Sequence, residues 1–348
     1  MAIGDKLQTW LARQWQHRGL WAYANLPLSW IYGWISRRTK RAHERARQEA
    51  YRPSVPVIVI GNIYVGGTGK TPVTCALAQE LTTLGFTPGL VSRGYGRQAS
   101  HAPACGSGSD LDWRTYGDEP ALIAAKTGMP ISVHADRALA AQHLLLHDPS
   151  VDVILSDDGL QHHRLARDFE VLVQDERGIG NGWLLPAGPL RELPSRRNTV
   201  DLVLQRCPPN VLDSATSPAF SVCLSRWRHA VSGRVLPADG LTEGGSLVAP
   251  VVAVAAIGVP ERFFDSVRSL GIELSHTEAL ADHQPIDLDW LKRQNAGTIL
   301  VTEKDAIKMP TIRDARIWIA ETTVQWWQDD IGTFFEQKLA QAGIKRPR

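Results

Sequence analysis

Short runs of Val, Ile and Leu recur along the chain from residue 55 and alternate with stretches of helical periodicity. Continuous apolar runs without polar alternation are typical of parallel strands that are buried on both faces. The pattern therefore predicts an α/β fold with a doubly wound parallel sheet, and its first helix is expected near residues 72–84. The strands are predicted at residues 55–60, 88–92, 130–133, 151–156, 169–173 and 200–204.

A second, shorter series follows nearer the C-terminus. Residues 251–257 predict a strand, residues 260–270 a helix and residues 298–302 another strand, which is a smaller βαβ unit. The stretch between the two series contains a pair of prolines, several Ser and Gly residues and little periodicity, which is typical of a connection. The sequence thus predicts a core at 51–205, a connection at 206–246 and a smaller C-terminal α/β lobe at 247–348.

Residues 1–50 form a separate, basic and Trp-rich segment. Residues 1–52 hold ten Lys/Arg against three Asp/Glu, whereas the whole chain has a formal net charge of +2. An 18-residue stretch without charge, residues 19–36, is borderline for a membrane span of about 20 apolar residues and contains Asn25 and Pro27. Because Trp favours the headgroup boundary and basic residues attract anionic lipid, the segment predicts a helix that lies on a membrane. A helix that packs its tryptophans on the core and a true span are the alternatives.

The amino-acid composition limits the classes of protein to which the chain can belong. The 348 residues are 43% hydrophobic and 21% charged, which is globular and excludes a disordered, a collagen-like and a many-span membrane protein. A chain of this length predicts two domains. The four cysteines show neither zinc-site spacing nor a disulfide framework, so a reducing compartment is expected.

The most specific motif is the phosphate loop, Gly-Asn-Ile-Tyr-Val-Gly-Gly-Thr-Gly-Lys-Thr-Pro at residues 61–72, between a predicted strand and a predicted helix. Its glycines let backbone N–H groups turn inward around phosphate oxygens, and the helix N-terminus adds partial positive charge. Lys70 is expected to reach the terminal phosphates and Thr71 to hold Mg²⁺. The usual pattern has Gly at position 64, and a glycine turn with an incidental lysine is the alternative. The predicted nucleotide-binding residues are Tyr64, Val65, Gly66, Gly67, Thr68, Gly69, Lys70 and Thr71.

Polar clusters follow several predicted strands, where open α/β sheets bind ligands. Arg93 and Arg97 lie in a glycine-containing loop and suit an anion. Asp157 and Asp158 follow a hydrophobic strand, an arrangement that holds or orients Mg²⁺, with helix capping as the alternative. Asp118, judged by its surroundings alone, is a turn or cap residue.

Two clusters in the second lobe are ambiguous by themselves. His283 lies in a predicted loop, where a lone histidine is more often structural than catalytic. The Thr-Glu-Lys-Asp sequence at residues 302–305 follows a strand and fits either surface charge or a contact that closes the lobes.

The chain resembles the tetraacyldisaccharide 4′-kinases, the lipid A 4′-kinase family, in motifs that follow the family's order through most of its length. The resemblance includes the basic, aromatic N-terminal segment, and position 64 varies within the family. The matching stretches are residues 61–62, 65–72, 92–96, 117–120, 157–162, 164–168, 180–183, 185–189, 191–192, 281–284 and 302–306.

This resemblance implies a kinase that transfers the γ-phosphate of ATP to the 4′-hydroxyl of a tetraacyldisaccharide 1-phosphate and forms lipid IVA. It implies that Lys70 and Thr71 bind the β/γ-phosphates and Mg²⁺. Asp118 is implied as the base that takes the proton of the sugar hydroxyl, supported by His283. The catalytic set is then Asp118, His283 and Lys70. The implied metal region comprises Thr71, Asp157, Asp158, Gln161 and Glu192.

The resemblance also implies a location, the cytoplasmic face of a Gram-negative inner membrane, where the enzyme is peripheral or monotopic. A lipid-borne substrate explains the basic, Trp-rich segment, because the enzyme must work at the membrane surface. Arg93 and Arg97 are hypothesised to bind the 1-phosphate of the substrate. No nucleic acid is expected as a partner, since the body is nearly neutral and the tryptophans cluster in the basic segment. No obligate protein partner is expected either.

The alternative function is a membrane-associated P-loop ATPase or GTPase switch without a lipid acceptor. A GTPase would need Asn-Lys-x-Asp to bind guanine, whereas residues 302–305 read Thr-Glu-Lys-Asp. Phosphate transfer to a lipid, as opposed to bare nucleotide hydrolysis, separates the two functions.

Overall fold

The structure is a computed structural model that describes residues 10–11, 13–46, 50–98, 102–208, 218–309, 312–328 and 330–345. These residues group into two compact units. Val222–Val324 forms the smaller unit, and the larger unit contains the described residues before Val222 and those after Val324. This grouping does not test the domain boundaries predicted from the sequence, and they stay predictions.

The larger unit is built on a mostly parallel sheet. Its strands are β1 (Val57–Gly61), β2 (Pro88–Ser92), β3 (Ala104–Gly106), β4 (Ile131–Val133), β5 (Val153–Asp157), β6 (Phe169–Gln174) and β7 (Leu202–Arg206). Across the sheet the order is β7–β6–β1–β5–β2–β4–β3. The pairs from β7 to β4 are parallel, and β3 is antiparallel to β4. The predicted α/β class is confirmed.

The central strands are buried as their sequences predict. Every residue of β1, β2, β5 and β6 is buried, which is why these segments are almost continuously apolar. β5 begins two residues later than predicted. The N–H groups of Val151 and Asp152 bond to carbonyls of Asp148 and Thr87 in the preceding turns and not to a neighbouring strand.

Two helices near the site begin or end at residues that favour a helix boundary. The helix Asp118–Thr127 has two acids in its first turn and stops at Gly128, which adopts φ 73°. The Asp136 side chain caps the helix Arg137–His147 by accepting a hydrogen bond from the N–H of Ala138. The helices whose bounds lie within the described residues are α1 (Leu20–Ala24), α2 (Leu26–Ala46), α3 (Lys70–Thr83), α4 (Trp113–Tyr116), α5 (Asp118–Thr127), α6 (Arg137–His147), α7 (Gly240–Glu243), α8 (Pro260–Ser269), α9 (Leu288–Arg293), α10 (Glu303–Ala306) and α11 (Ile331–Gln341), with a 3₁₀ turn at Pro194–Asn198.

The smaller unit has its own parallel strands. The remaining strands of the chain are β8 (Ala219–His229), β9 (Val235–Pro237), β10 (Val251–Ala255), β11 (His276–Ala279), β12 (Thr298–Thr302) and β13 (Ile317–Trp326). β11, β10, β12 and β13 pair in that order and run parallel. The predicted strands and helix of this region are observed. The stretch 206–246, which lacks a clear period in sequence, contains the 11-residue strand β8.

The described side chains of helix α2 pack on the rest of the larger unit through one face. The Ser29 hydroxyl donates to the Leu184 carbonyl at 2.9 Å, and the Tyr32 hydroxyl donates to the Arg191 carbonyl at 3.0 Å. A Cβ on Gly33 would lie 2.9 Å from a Leu184 methyl, so the helix backbone approaches closely there. These three positions follow the i, i+3, i+4 spacing of one helix face. The large apolar residues left exposed on α2 are Leu28, Trp30, Ile31, Trp34 and Ile35.

This orientation bears on the alternatives for the N-terminal segment. Trp30 and Trp34 are 67% and 54% exposed, so these two tryptophans do not pack on a core. Among the described residues, no helix combines the length and the apolarity that a membrane crossing needs.

Candidate active site

Four neighbouring strands bring several of the predicted site residues to one edge of the sheet. β6, β1, β5 and β2 lie side by side, and Ile60 at the end of β1 is opposite Asp157 at the end of β5. Because the carboxyl ends of parallel strands share an edge, the phosphate loop and the loops that begin at Asp157 and Arg93 are neighbours.

The backbone of the predicted phosphate loop has a geometry that suits an anion. Gly66 and Gly69 adopt φ angles of 100° and 96°, a region that glycine reaches without strain. The buried Asn62 amide donates to the Gly66 carbonyl at 3.2 Å and to the Thr68 hydroxyl at 3.0 Å. Lys70 is the first residue of α3, so the free N–H groups of the helix N-terminus lie at the end of the loop. Thr71 follows in the same turn.

The start of the loop is held by two other segments. The N–H of Val65 donates to the Pro189 carbonyl at 3.0 Å. The buried ring of Tyr64 lies 4.4 Å from the Arg177 guanidinium, and its hydroxyl accepts a hydrogen bond from Gln16 at 2.9 Å. Tyr64, which replaces the usual glycine, therefore contacts both the N-terminal segment and the residues that follow β6.

Lys70 faces one of the two strand-end acids. Its Nζ lies 3.4 Å from Oδ1 of Asp158, and Arg191 Nη1 lies 3.2 Å from the other oxygen of that carboxylate. Burial disfavours the charged carboxylate, but Lys70 and Arg191 outweigh burial and hold the pKa of Asp158 below its usual range. Asp158 is thus an ionised partner of the phosphate-loop lysine.

Asp157 carries a buried carboxylate whose surroundings would suit a cation. The residue is 2% exposed, and its Oδ1 has no hydrogen-bond partner among the described residues. Burial, followed by Glu119 and Asp158, raises the pKa of Asp157 to about 7. A divalent cation would stabilise such a carboxylate, because it supplies the missing partner and offsets the neighbouring negative charge. The described part of the chain contains no preformed group of three His, Cys, Asp or Glu side chains at metal-binding spacing.

Gln161 and Glu192, both predicted for the metal region, are in direct contact. Gln161 Nε2 donates to Glu192 Oε1 at 2.7 Å and to the Asn62 carbonyl at 3.1 Å. The other oxygen of Glu192 lies 3.4 Å from Arg196 Nε. Arg196 also pairs at 2.5 Å with Glu170, a buried acid on β6. The Glu192 carboxylate is therefore fixed from two sides beside the phosphate loop.

Asp118 is buried at the N-terminus of α5, with 3% exposure. Its Oδ1 accepts a hydrogen bond from the N–H of Glu119 at 2.9 Å. The preceding Gly117 adopts φ 90°, and a Cβ there would lie 2.7 Å from the Tyr95 carbonyl. This close approach packs the loop after β2 directly against the peptide that leads into Asp118.

The two arginines of that loop differ in their surroundings. Arg97 donates to the Val133 carbonyl at 2.7 Å and to the Ala102 carbonyl at 3.1 Å, so its guanidinium supports the loop. Arg93 is exposed. Binding of the substrate 1-phosphate by Arg93 and Arg97 stays a prediction.

His283 belongs to the smaller unit, whereas Asp118 belongs to the larger one. His283 adopts φ 66°, and its Nε2 lies 3.7 Å from Asp282 Oδ2. Lys304 Nζ lies 3.2 Å from the other oxygen of Asp282. The fully buried Asp305 accepts a hydrogen bond from the N–H of Ala256. Residues 302–305 thus support the loop that carries His283, and the pairing of His283 with Asp118 stays a prediction.

Several side chains at this edge were not predicted as site residues. Asn62 and Arg191 lie within motifs that carry the family resemblance, so a signal for them exists. Arg177 and Arg196 lie in no motif, and only the tertiary fold brings them to the phosphate loop and to Glu192. The same holds for the buried Arg137, whose Nη2 donates to the Asp157 carbonyl at 3.4 Å.

Comparison with known proteins identifies the family. The family model for the tetraacyldisaccharide-1-P 4′-kinases, LpxK, matches residues 21–340. The chain belongs to the tetraacyldisaccharide 4′-kinase family. Within this family, the tetraacyldisaccharide 4′-kinase of Bordetella petrii is 46% identical over 95% of both chains. That of Pasteurella multocida is 40% identical over 90% of this chain and 92% of its own.

A solved member of the family has the same fold. The crystal structure of LpxK from Aquifex aeolicus in complex with ATP covers 92% of this chain and 99% of its own, with a TM-score of 0.74 and 24% identity. The resemblance found in the sequence motifs is confirmed, and the family is one of kinases. The alternative of a P-loop switch without a lipid acceptor is not favoured.

Proposed function

We propose that this protein transfers the γ-phosphate of ATP to the 4′-hydroxyl of a tetraacyldisaccharide 1-phosphate and forms lipid IVA. Family membership supports the reaction, and one geometric observation supports the site. Lys70 Nζ, at the end of the phosphate loop, lies 3.4 Å from Asp158, and the adjacent Asp157 has a buried carboxylate oxygen with no hydrogen-bond partner in the part of the chain that the structure describes. This arrangement suits a nucleotide phosphate together with a cation.

The chain's own residues bind and orient the phosphates. The N–H groups of the phosphate loop and of the α3 N-terminus surround phosphate oxygens, and Lys70 neutralises charge on the terminal phosphates. When bound, Mg²⁺ neutralises charge on the β- and γ-phosphates. Asp157 fits Mg²⁺ best, because no described residue forms a hydrogen bond with its buried oxygen. The proposed metal region comprises Thr71, Asp157, Asp158, Gln161 and Glu192.

Asp118 is the proposed base. An uncharged sugar hydroxyl needs a positioned carboxylate to take its proton during transfer. Asp118 is buried and fixed through its hydrogen bond with the N–H of Glu119, and the first turn of a helix favours a negative charge. His283 is proposed to orient this carboxylate when the acceptor is bound.

The exposed face of α2 is the proposed contact with the membrane. Trp30 and Ile31 are 67% and 55% exposed, and Trp34 and Ile35 of the next turn are also exposed. The Arg38 guanidinium lies 4.7 Å from the Trp34 ring. An amphipathic helix with large apolar residues on one face and basic residues at its end binds an anionic lipid surface in its plane.

This contact brings the site to its substrate. The opposite face of α2 bonds to Leu184 and Arg191, and Arg191 pairs with Asp158. A lipid whose disaccharide emerges from the bilayer surface is then close to the phosphate loop. The proposed location is the cytoplasmic face of the inner membrane, where ATP is available.

Phosphate transfer to a detergent-solubilised tetraacyldisaccharide 1-phosphate tests the proposal. We expect ATP-dependent formation of the 4′-phosphorylated lipid by the wild-type protein and its near-complete loss in Lys70→Ala. Hydrolysis of ATP without any transfer to the lipid would favour the P-loop switch and contradict the proposed kinase.

A further inference from the structure

We propose that Arg177 is a positioning residue of the phosphate loop, where it directs backbone N–H groups toward the phosphates of the bound nucleotide. The inference rests on the proposed nucleotide site. Arg177 follows β6, outside every motif that identifies the family, and its Nη2 donates to the Gly67 carbonyl at 2.9 Å.

The hydrogen bond from Arg177 to the Gly67 carbonyl also orients the N–H of the next residue, because both groups belong to one peptide unit. The C=O and N–H of a planar trans peptide point in opposite directions. By holding the Gly67 carbonyl, Arg177 directs the N–H of Thr68 to the opposite side. Asn62 holds the Gly66 carbonyl at 3.2 Å and acts in the same way on the N–H of Gly67. Two successive N–H groups are thus turned away from their side-chain supports, as an anion-binding concavity requires.

Arg177 is itself firmly held. Asp175, whose side chain is fully buried, lies 2.7 Å from Arg177 Nη2 and accepts from its Nε at 2.8 Å. The guanidinium lies over the Tyr64 ring at 4.4 Å. The guanidinium therefore makes three contacts at once, with the Asp175 carboxylate, the Gly67 carbonyl and the face of the Tyr64 ring. A lysine has the same charge but lacks the planar, forked arrangement of N–H donors, so it cannot make all three contacts.

A direct role for the Arg177 charge makes a different prediction. A cation that touches the γ-phosphate would favour ATP over ADP, and lysine would replace it well. Oriented N–H groups of a phosphate loop hold the α- and β-phosphates, which ATP and ADP share. The positioning role therefore predicts an equal loss for both nucleotides.

The experiment measures ATP and ADP affinities, together with kcat and KM for ATP, in Arg177→Lys and Arg177→Met. Arg52→Met is the matched control, because Arg52 is a largely exposed arginine that pairs with Asp168. We expect both Arg177 variants to lose about tenfold or more in affinity for ATP and for ADP alike. At saturating ATP, kcat should fall by less than about threefold, and Arg52→Met should match the wild type.

Three results would overturn the inference: wild-type affinity in Arg177→Lys, a loss confined to ATP, or a fall in kcat with unchanged affinity. Far-ultraviolet circular dichroism and thermal unfolding without nucleotide establish that the variants are folded. Tyr64→Leu, which removes the ring beneath the guanidinium, should show the same parallel loss for both nucleotides. Failure of the proposed function would look different, since the wild-type protein would bind both nucleotides without phosphorylating the lipid.

Discussion

Lys70 Nζ lies 3.4 Å from Asp158 Oδ1, so the phosphate-loop lysine is paired with a strand-end carboxylate. Arg191 contacts the same carboxylate, and Lys70 together with Arg191 lowers the pKa of Asp158. The lysine is 12% exposed as a side chain, and the pair holds its long chain near the loop. A bound triphosphate would meet an amine that is already positioned, which lowers the cost of organising the transition state.

Lys70→Ala removes the positive charge at the terminal phosphates. We expect kcat for lipid phosphorylation to fall by about a hundredfold or more, the scale of a lost electrostatic contact in a transition state. The folded state should persist, because Lys70 is at a helix terminus and not in the core. Steady-state assays with saturating lipid check the prediction, and Arg52→Met is the control. Near wild-type turnover in Lys70→Ala would contradict the kinase site proposed here.

The variant Glu170→Gln tests the buried ion pairs that Glu170 forms with Arg167 and Arg196, next to the proposed metal region. Glu170 is 7% exposed and contacts Arg167 at 3.0 Å and Arg196 at 2.5 Å. Burial opposes its charge, but the hydrogen bonds and charges of the two arginines hold the pKa of Glu170 below its usual range. Removing one partner of a buried pair costs about 3 kcal/mol in the free energy of unfolding.

The lowered pKa of Glu170 sets the pH dependence of this loss. The stabilisation is fully present above the unfolded-state value near 4.5 and disappears as the pH falls through the lower folded-state value. The difference between the wild type and Glu170→Gln should therefore be constant near neutral pH and shrink in acid. Urea unfolding across this pH range measures it, and a difference that grew on acidification would contradict the assignment.

The structure also shows which parts of the site a sequence can predict. The phosphate loop and the acids Asp157 and Asp158 were predicted because their function depends on a local order of strand, loop and helix. Arg177 and Arg196 were not, because their partners at Gly67 and Glu192 come from other strand ends. The sequence did not predict strand β8 for a different reason. Its residues do not alternate regularly between buried and exposed positions, so the sequence lacks the period of a half-buried strand.

The proposed membrane contact of α2 can be tested with substitutions that leave the helix packed on the larger unit. Deletion of residues 1–36 would also remove Gln16, Ser29 and Tyr32, whose side chains bond to the larger unit. Substitution of the outward side chains alone is therefore sharper. In the triple variant Trp30→Gln, Ile31→Gln and Trp34→Gln, binding to anionic vesicles should fall by at least roughly tenfold, because the loss of even one buried apolar side chain removes about 1.5–3 kcal/mol.

The matched control replaces the exposed Leu139 and Leu146 on α6 with Gln and should bind vesicles like the wild type. High salt should release only part of the wild-type protein, because apolar insertion is not screened. Cosedimentation with vesicles measures both effects. Unchanged binding of the triple variant would place the membrane contact elsewhere, as would equal losses in the α6 control.

The last prediction concerns the proposed base. Asp118→Asn keeps the buried shape and can still accept the hydrogen bond from Glu119, but it cannot take a proton. We expect kcat to fall by about 10²–10⁴-fold, the range of general base catalysis, with little change in ATP affinity. For His283 the suitable variant is His283→Asn, because the residue adopts φ 66° and Asn tolerates this conformation better than Ala does. Its effect should be the smaller of the two.

A double-mutant cycle on kcat, at saturating ATP and lipid, decides whether the two residues act together. If His283 orients the Asp118 carboxylate, then His283→Asn should add little once Asp118→Asn has removed the base, because the pair acts as one unit. Fully additive losses would mean that His283 acts independently of Asp118. An Asp118→Asn enzyme that is defective only in ATP binding would assign the base to another carboxylate. Asp157 and Asp158 would then be the next candidates, since both lie beside the phosphate loop at the end of β5.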